Sequence, residues 1–121
     1  MSTNARLLLL MRQPPYASGH ALEAVDVALV AAAFDLQVSV LFAGAGVWQL
    51  ATGQDGAALG TRTQGKVLSA LPHYDVTDVY VCAESLAAAG LDIEELVLPA
   101  RSLSRADQRD LIASHRLVVN D

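Results

Sequence analysis

Two kinds of apolar pattern alternate along the chain. In one, short runs are apolar at nearly every position. In the other, longer segments carry apolar residues at helical spacing. Arg6–Arg12 is of the first kind, with Leu7, Leu8, Leu9, Leu10 and Met11 in sequence. A strand apolar on both faces belongs in the middle of a parallel sheet. Gln13–Ala17 contains Pro14 and Pro15 and predicts a loop, after which Ser18 is placed to cap a helix from Gly19 to about Phe34. That helix has one apolar stripe through Leu22, Val25, Leu29 and Ala32 and a second through Val27, Val30, Ala31 and Phe34. Only Glu23 and Asp26 are clearly polar in its middle, so it is expected to bury two sides, one on the sheet and one on a partner chain.

The alternation continues. Gln37–Ala43 predicts a second strand, Val47–Leu50 a helical turn, and Thr63–Leu71 a short helix that Pro72, His73, Tyr74 and Asp75 terminate. Thr52–Arg62, with Gly53, Gly56 and Gly60, is the most loop-like stretch. Asp78–Cys82 predicts the third strand, Ala83–Ala89 a helix closed by Gly90, and Leu96–Ala100 a fourth strand. Ser104 with Asp107 three positions on predicts a capped helix to about His115, followed by a last strand at Leu117–Val119. Strands alternating with helices imply an α/β fold: three layers, α/β/α, around a mainly parallel five-stranded sheet, flavodoxin-like in outline. No repeat or linker interrupts residues 1–121, which are expected to form one domain.

Composition narrows the function classes. The chain is 53% hydrophobic, above the ~45–50% usual for soluble domains, which favours self-association or a partner. A formal charge of −5 argues against direct binding of nucleic acid. The longest apolar stretch, Val27 to Phe34, is far short of the ~20 residues of a membrane span. A single cysteine excludes an internal disulfide framework, and a cytosolic location is expected.

That cysteine, Cys82, is the main candidate for chemistry. It ends the third strand and begins a helix, at the carboxyl edge where ligands gather in open α/β sheets. Free N–H groups there favour a thiolate, which can take up sulfane sulfur as a persulfide. The competing reading is a small buried hydrophobe. His20, His73 and His115 lack metal-ligand spacing, so no metal or cofactor is expected. Ser18-Gly19 has neither of the glycine-rich phosphate-loop patterns. Trp48 follows a strand end directly, placed either to plug the core or to anchor an interface.

Four blocks carry a resemblance. They are Pro14-Pro15-Tyr16-Ala17-Ser18-Gly19; Val40 to Leu50 with Gly44, Gly46 and Trp48; Tyr74-Asp75-Val76 leading into Val79-Tyr80-Val81-Cys82-Ala83; and Ser85-Leu86 with Gly90-Leu91-Asp92. In this order they resemble the DsrE/DsrF-like sulfur-relay family, most closely its TusC/DsrF-type subunits. The resemblance implies a parallel α/β sheet and a heterohexamer of three related small subunits, two copies each. It implies partners of the TusB/DsrH and TusD/DsrE types and a TusE/DsrC-like sulfur acceptor. Persulfide sulfur would then pass towards 2-thiolation of tRNA wobble uridine, or serve sulfur oxidation in the other branch. Cys82 falls at the family's cysteine position. The family's essential persulfide cysteine is ascribed to the TusD/DsrE-type subunit, so this chain is expected to be an accessory, mainly structural component. The alternative is a sulfurtransferase carrying persulfide on Cys82 itself. Val27, Val30, Phe34 and Trp48 are the expected interface residues, with a homo-oligomer as the form of an isolated chain.

Overall fold

A computed structural model describes residues 6–16, 19–52 and 64–121. Five strands form one all-parallel sheet: β1 (Arg6–Met11), β2 (Gln37–Phe42), β3 (Asp78–Cys82), β4 (Arg101–Leu103) and β5 (Leu117–Asn120), in the order β4-β3-β2-β1-β5. The helices are α1 (His20–Ala33), α2 (Gln64–Leu68), α3 (Ala83–Ala89) and α4 (Arg105–Ala113), with 3-10 segments at Gly44–Leu50, Leu71–Tyr74 and Ile93–Glu95. No helix among the described residues is long and apolar enough to cross a membrane.

Side-chain alternation divides the sheet into two unequal faces. Leu7, Leu9, Met11, Val38, Val40, Phe42, Val79 and Val81 lie on one face, in the main core with residues of α1, α2, α3 and the Gly44–Leu50 segment. Leu8, Leu10 and Leu41 lie on the other, with Tyr80 of β3 beside them and Leu111 and Ile112 of α4 packed against them. The sheet grows one strand at a time from β1 to β4. It then returns across its full width to place β5 beside β1. Parallel crossovers are right-handed, so reversing the direction of travel moves the connecting helix to the opposite face. This is why α4 stands alone on its side.

Several elements depart from the sequence expectation. The apolar run Leu96–Ala100 is not the fourth strand, which is Arg101–Leu103. The run is apolar because it packs on the core: Leu98 is buried, and the Val97 N–H donates to the Leu50 carbonyl at 2.9 Å. Pro99 offers no ladder donor. The true strand is a polar edge, where little burial is required. Within α1 the residues buried against the sheet are Ala21, Ala24, Val25, Ala28 and Ala31. Leu22, Leu29 and Ala32 are only half-buried, and Ala31 belongs to the inner stripe. Alanine brings the helix axis close to the strands, so the larger side chains are left on its flanks. The expected helix over Thr63–Leu71 is α2 followed by a separate 3-10 turn, with Pro72 at its start. The Ser18 cap and nearly all of the Thr52–Arg62 loop lie outside the described residues.

Candidate functional site: a cationic cleft over Cys82

β3 runs directly into α3 on the main-core face, and β4 passes through Ser104 alone into α4 on the other. Adjacent strands whose connections leave to opposite sides open a crevice at their carboxyl ends. Cys82 is the last residue of β3 and stands at this point.

The register explains what surrounds it. Met11 pairs with Phe42, and Phe42 with Val81. One position further on, Arg12, Ala43 and Cys82 form a row across the end of the sheet, with Cys82 paired to Leu103. These positions alternate onto the α4 face. Arg12 and Cys82 are two strand spacings apart, about 10 Å, and the small residues Ala43 and Gly44 leave the space between them open. Arg105, Gln108, Arg109 and Ile112 line the roof at helical spacing along α4. The resulting cleft has a volume of about 470 Å³, with Ser85 completing its wall.

Cys82 is 5% exposed and serves as the N-cap of α3. Its Sγ accepts the Ser85 N–H at 3.4 Å. Burial alone pushes this thiol up. The Ser85 hydroxyl and N–H, the Gln108 side chain and the Glu84 N–H together outweigh burial and hold it below the ordinary thiol value. Ser85 is itself positioned, because its Oγ accepts the Gly44 N–H at 2.9 Å. Gly44 has φ +57, a left-handed conformation that glycine adopts without strain.

The electrostatics could not be read from local sequence. Glu84, next but one to the cysteine, would oppose a thiolate if its charge were free. Instead Arg105 Nε donates to Glu84 Oε2 at 2.7 Å. The guanidinium groups of Arg12 and Arg109 pair with no carboxylate among the described residues, and no residue lining the cleft is acidic. An acidic chain thus carries a local cationic pocket around its only thiol. Sequence reading identified Cys82 and missed the arginines. The i, i+3, i+4, i+7 spacing of Arg105, Gln108, Arg109 and Ile112 was the available signal, but which sheet row faced that stripe depended on the crossover.

Other expected site residues lie elsewhere. Val27, Val30, Phe34 and Trp48 are all exposed, Phe34 at 79% and Trp48 at 45%. Trp48 therefore does not plug the core. His20 and His73 are exposed, whereas His115 is buried with Nδ1 2.8 Å from the Leu111 carbonyl at the end of α4. Among the described residues no three His, Cys, Asp or Glu side chains are grouped to hold a metal.

The chain belongs to the DsrE/DsrF-like family, whose model matches residues 5–120. It is 42% identical to a "Protein TusC homolog" of Pseudomonas aeruginosa, covering 93% of this chain and 95% of that one. It is 40% identical to the "Intracellular sulfur oxidation protein DsrF" of Allochromatium vinosum, over 76% of this chain and 68% of that protein. The fold matches the crystal structure of the Escherichia coli ychN protein with a TM-score of 0.83 and 14% identity, covering 97% and 99% of the two chains.

Proposed function

We propose that this chain is a mainly structural subunit of a TusBCD/DsrEFH-type sulfur-relay complex that passes persulfide sulfur towards tRNA wobble-uridine 2-thiolation. The observation that carries this reading is the near full-length similarity to a TusC homologue. Its partners are TusB/DsrH-like and TusD/DsrE-like subunits, with a TusE/DsrC-like acceptor downstream. The exposed apolar residues support it. Val27 and Val30 of α1, Phe34 at its end and Trp48 in the segment after β2 leave apolar surface exposed that a partner can cover. Acidic composition fits a protein that hands sulfur to a carrier and does not itself hold tRNA.

Native mass spectrometry after co-expression with TusB-like and TusD-like subunits tests this. A stable hetero-oligomer containing this chain is expected; a chain that remains apart from both subunits overturns it. Loss of 2-thiouridine on deleting the gene assigns the tRNA branch. Intact 2-thiouridine with impaired sulfur oxidation assigns the other.

A second reading rests on the position of Cys82 in the cleft, with the Ser85 N–H directed at its Sγ at 3.4 Å, and on the lowering of its thiol pKa that the surrounding donors bring. In it Cys82 carries sulfur itself. Its thiolate attacks the outer sulfur of a donor persulfide, a new S–S bond forms, and the donor's S–S bond breaks with the electron pair leaving on the donor thiolate. Intact mass after incubation with a cysteine desulfurase and cysteine decides it. One added sulfur on wild type and none on Cys82→Ser is the expected result, and equal loading of both sinks it.

A further inference from the structure

The cleft over Cys82 has a chemistry that the thiol alone does not account for. Its two sides each contribute a guanidinium with no carboxylate partner among the described residues: Arg12 from the end of β1 and Arg109 from α4. The third arginine, Arg105, is occupied by Glu84. None of the lining residues is acidic, and the floor is Cys82. Guanidinium groups bind planar or tetrahedral oxyanions through paired N–H donors. Two of them flanking one thiol are placed to orient an anionic molecule whose reactive atom meets the sulfur.

We propose that this cleft binds the anionic end of a small sulfur compound, one carrying carboxylate or sulfonate oxygens close to its reactive sulfur, and that Arg12 and Arg109 hold those oxygens beside Cys82 Sγ. The proposal builds on the second reading above, in which Cys82 reacts, and adds the class of molecule it reacts with. It also gives the arginines a role separate from assembly. In a chain of formal charge −5 they create the local field that draws an anion in.

The test uses reagents that need no relay partner. Iodoacetate and iodoacetamide alkylate a thiolate by the same displacement: the S–C bond forms as the C–I bond breaks and iodide leaves. They differ in the carboxylate. The rate ratio of iodoacetate to iodoacetamide on the full chain is compared with that on a free cysteine peptide. About a tenfold higher ratio on the protein is expected, falling to the peptide value in Arg12→Gln/Arg109→Gln and in wild type at high salt. A matched pair of methanethiosulfonates, one bearing a sulfonate and one a trimethylammonium group, extends the comparison to the sulfonate source. Preference for iodoacetate alone assigns a carboxylate ligand; preference for the sulfonate reagent alone assigns a sulfonate. No alkylation by either iodo reagent, or equal ratios in wild type and the double variant, overturns the proposal. An anion preference in a chain that takes up no sulfur from the desulfurase leaves the cleft assignment standing and removes the persulfide reading. Sulfur loading without anion preference does the reverse.

Discussion

Gln49 Nε2 donates to Asp121 Oδ2 at 3.0 Å, joining residues 72 positions apart in sequence. Gln49 is fully buried and also donates to the Gln13 carbonyl at 2.8 Å. The Asp121 carboxylate accepts the Arg12 N–H at 2.8 Å and the Gln13 N–H at 3.2 Å. The backbone beneath Arg12 is therefore fixed by a buried amide and a carboxylate from the far end of the chain. This network holds one wall of the cleft.

Replacing Gln49 by Leu leaves the Asp121 carboxylate and Gln13 carbonyl short of a donor. A loss of about 1–3 kcal/mol is expected, read as a lower urea midpoint at unchanged slope. If the network also places Arg12, the same variant lowers the anion preference of Cys82 alkylation.

Gly46→Ala tests a close approach. A Cβ there would lie 1.9 Å from the Met11 carbonyl oxygen, and backbone cannot turn aside as a side-chain tip can. Destabilisation of about 1–3 kcal/mol or more is expected. Gly44→Ala has open space, and its cost of about 1–2 kcal/mol comes only from the left-handed backbone. Chemical denaturation of both variants separates clash from conformational strain.

The reactivity of Cys82 depends on pH in a stated direction. Burial opposes ionisation, but the donors from Ser85, Gln108 and Glu84 prevail, so alkylation should reach half its maximum below the pH of a free cysteine peptide. Gln108→Ala should move that midpoint up. The sign for stability follows. The folded-state value is depressed, so the contribution is fully present above the unfolded thiol's pKa and is lost as pH falls through the folded value. Cys82→Ser should abolish this pH dependence. The Arg105–Glu84 pair is largely solvent-exposed, and its loss should change stability by less than about 1 kcal/mol.

Phe34→Asp separates assembly from folding. Phe34 is 79% exposed at the C-cap of α1, so the isolated chain should lose no more than about 1 kcal/mol, the cost of a carboxylate at a helix C-terminus. Co-purification with the proposed partner subunits should be lost. A variant that assembles normally places the interface elsewhere.

Local sequence determined the elements that burial or capping dictates. The run Leu7–Met11, the strand Asp78–Cys82, the Gly90 terminus and the Ser104 cap all stand where their patterns predict, because each depends on neighbours within a few residues. The block around Cys82 also pointed to the family. The position of β4 was hidden, because an apolar loop packed on Leu50 and a buried strand have the same composition. Strand order and helix side were hidden too. They depend on the handedness and direction of crossovers, and those alone bring Arg12, Cys82 and Arg109 around one cleft. Sequence placed the thiol at a strand end. Tertiary structure supplied its charges, because residues distant along the chain meet only where β1, β3 and α4 converge.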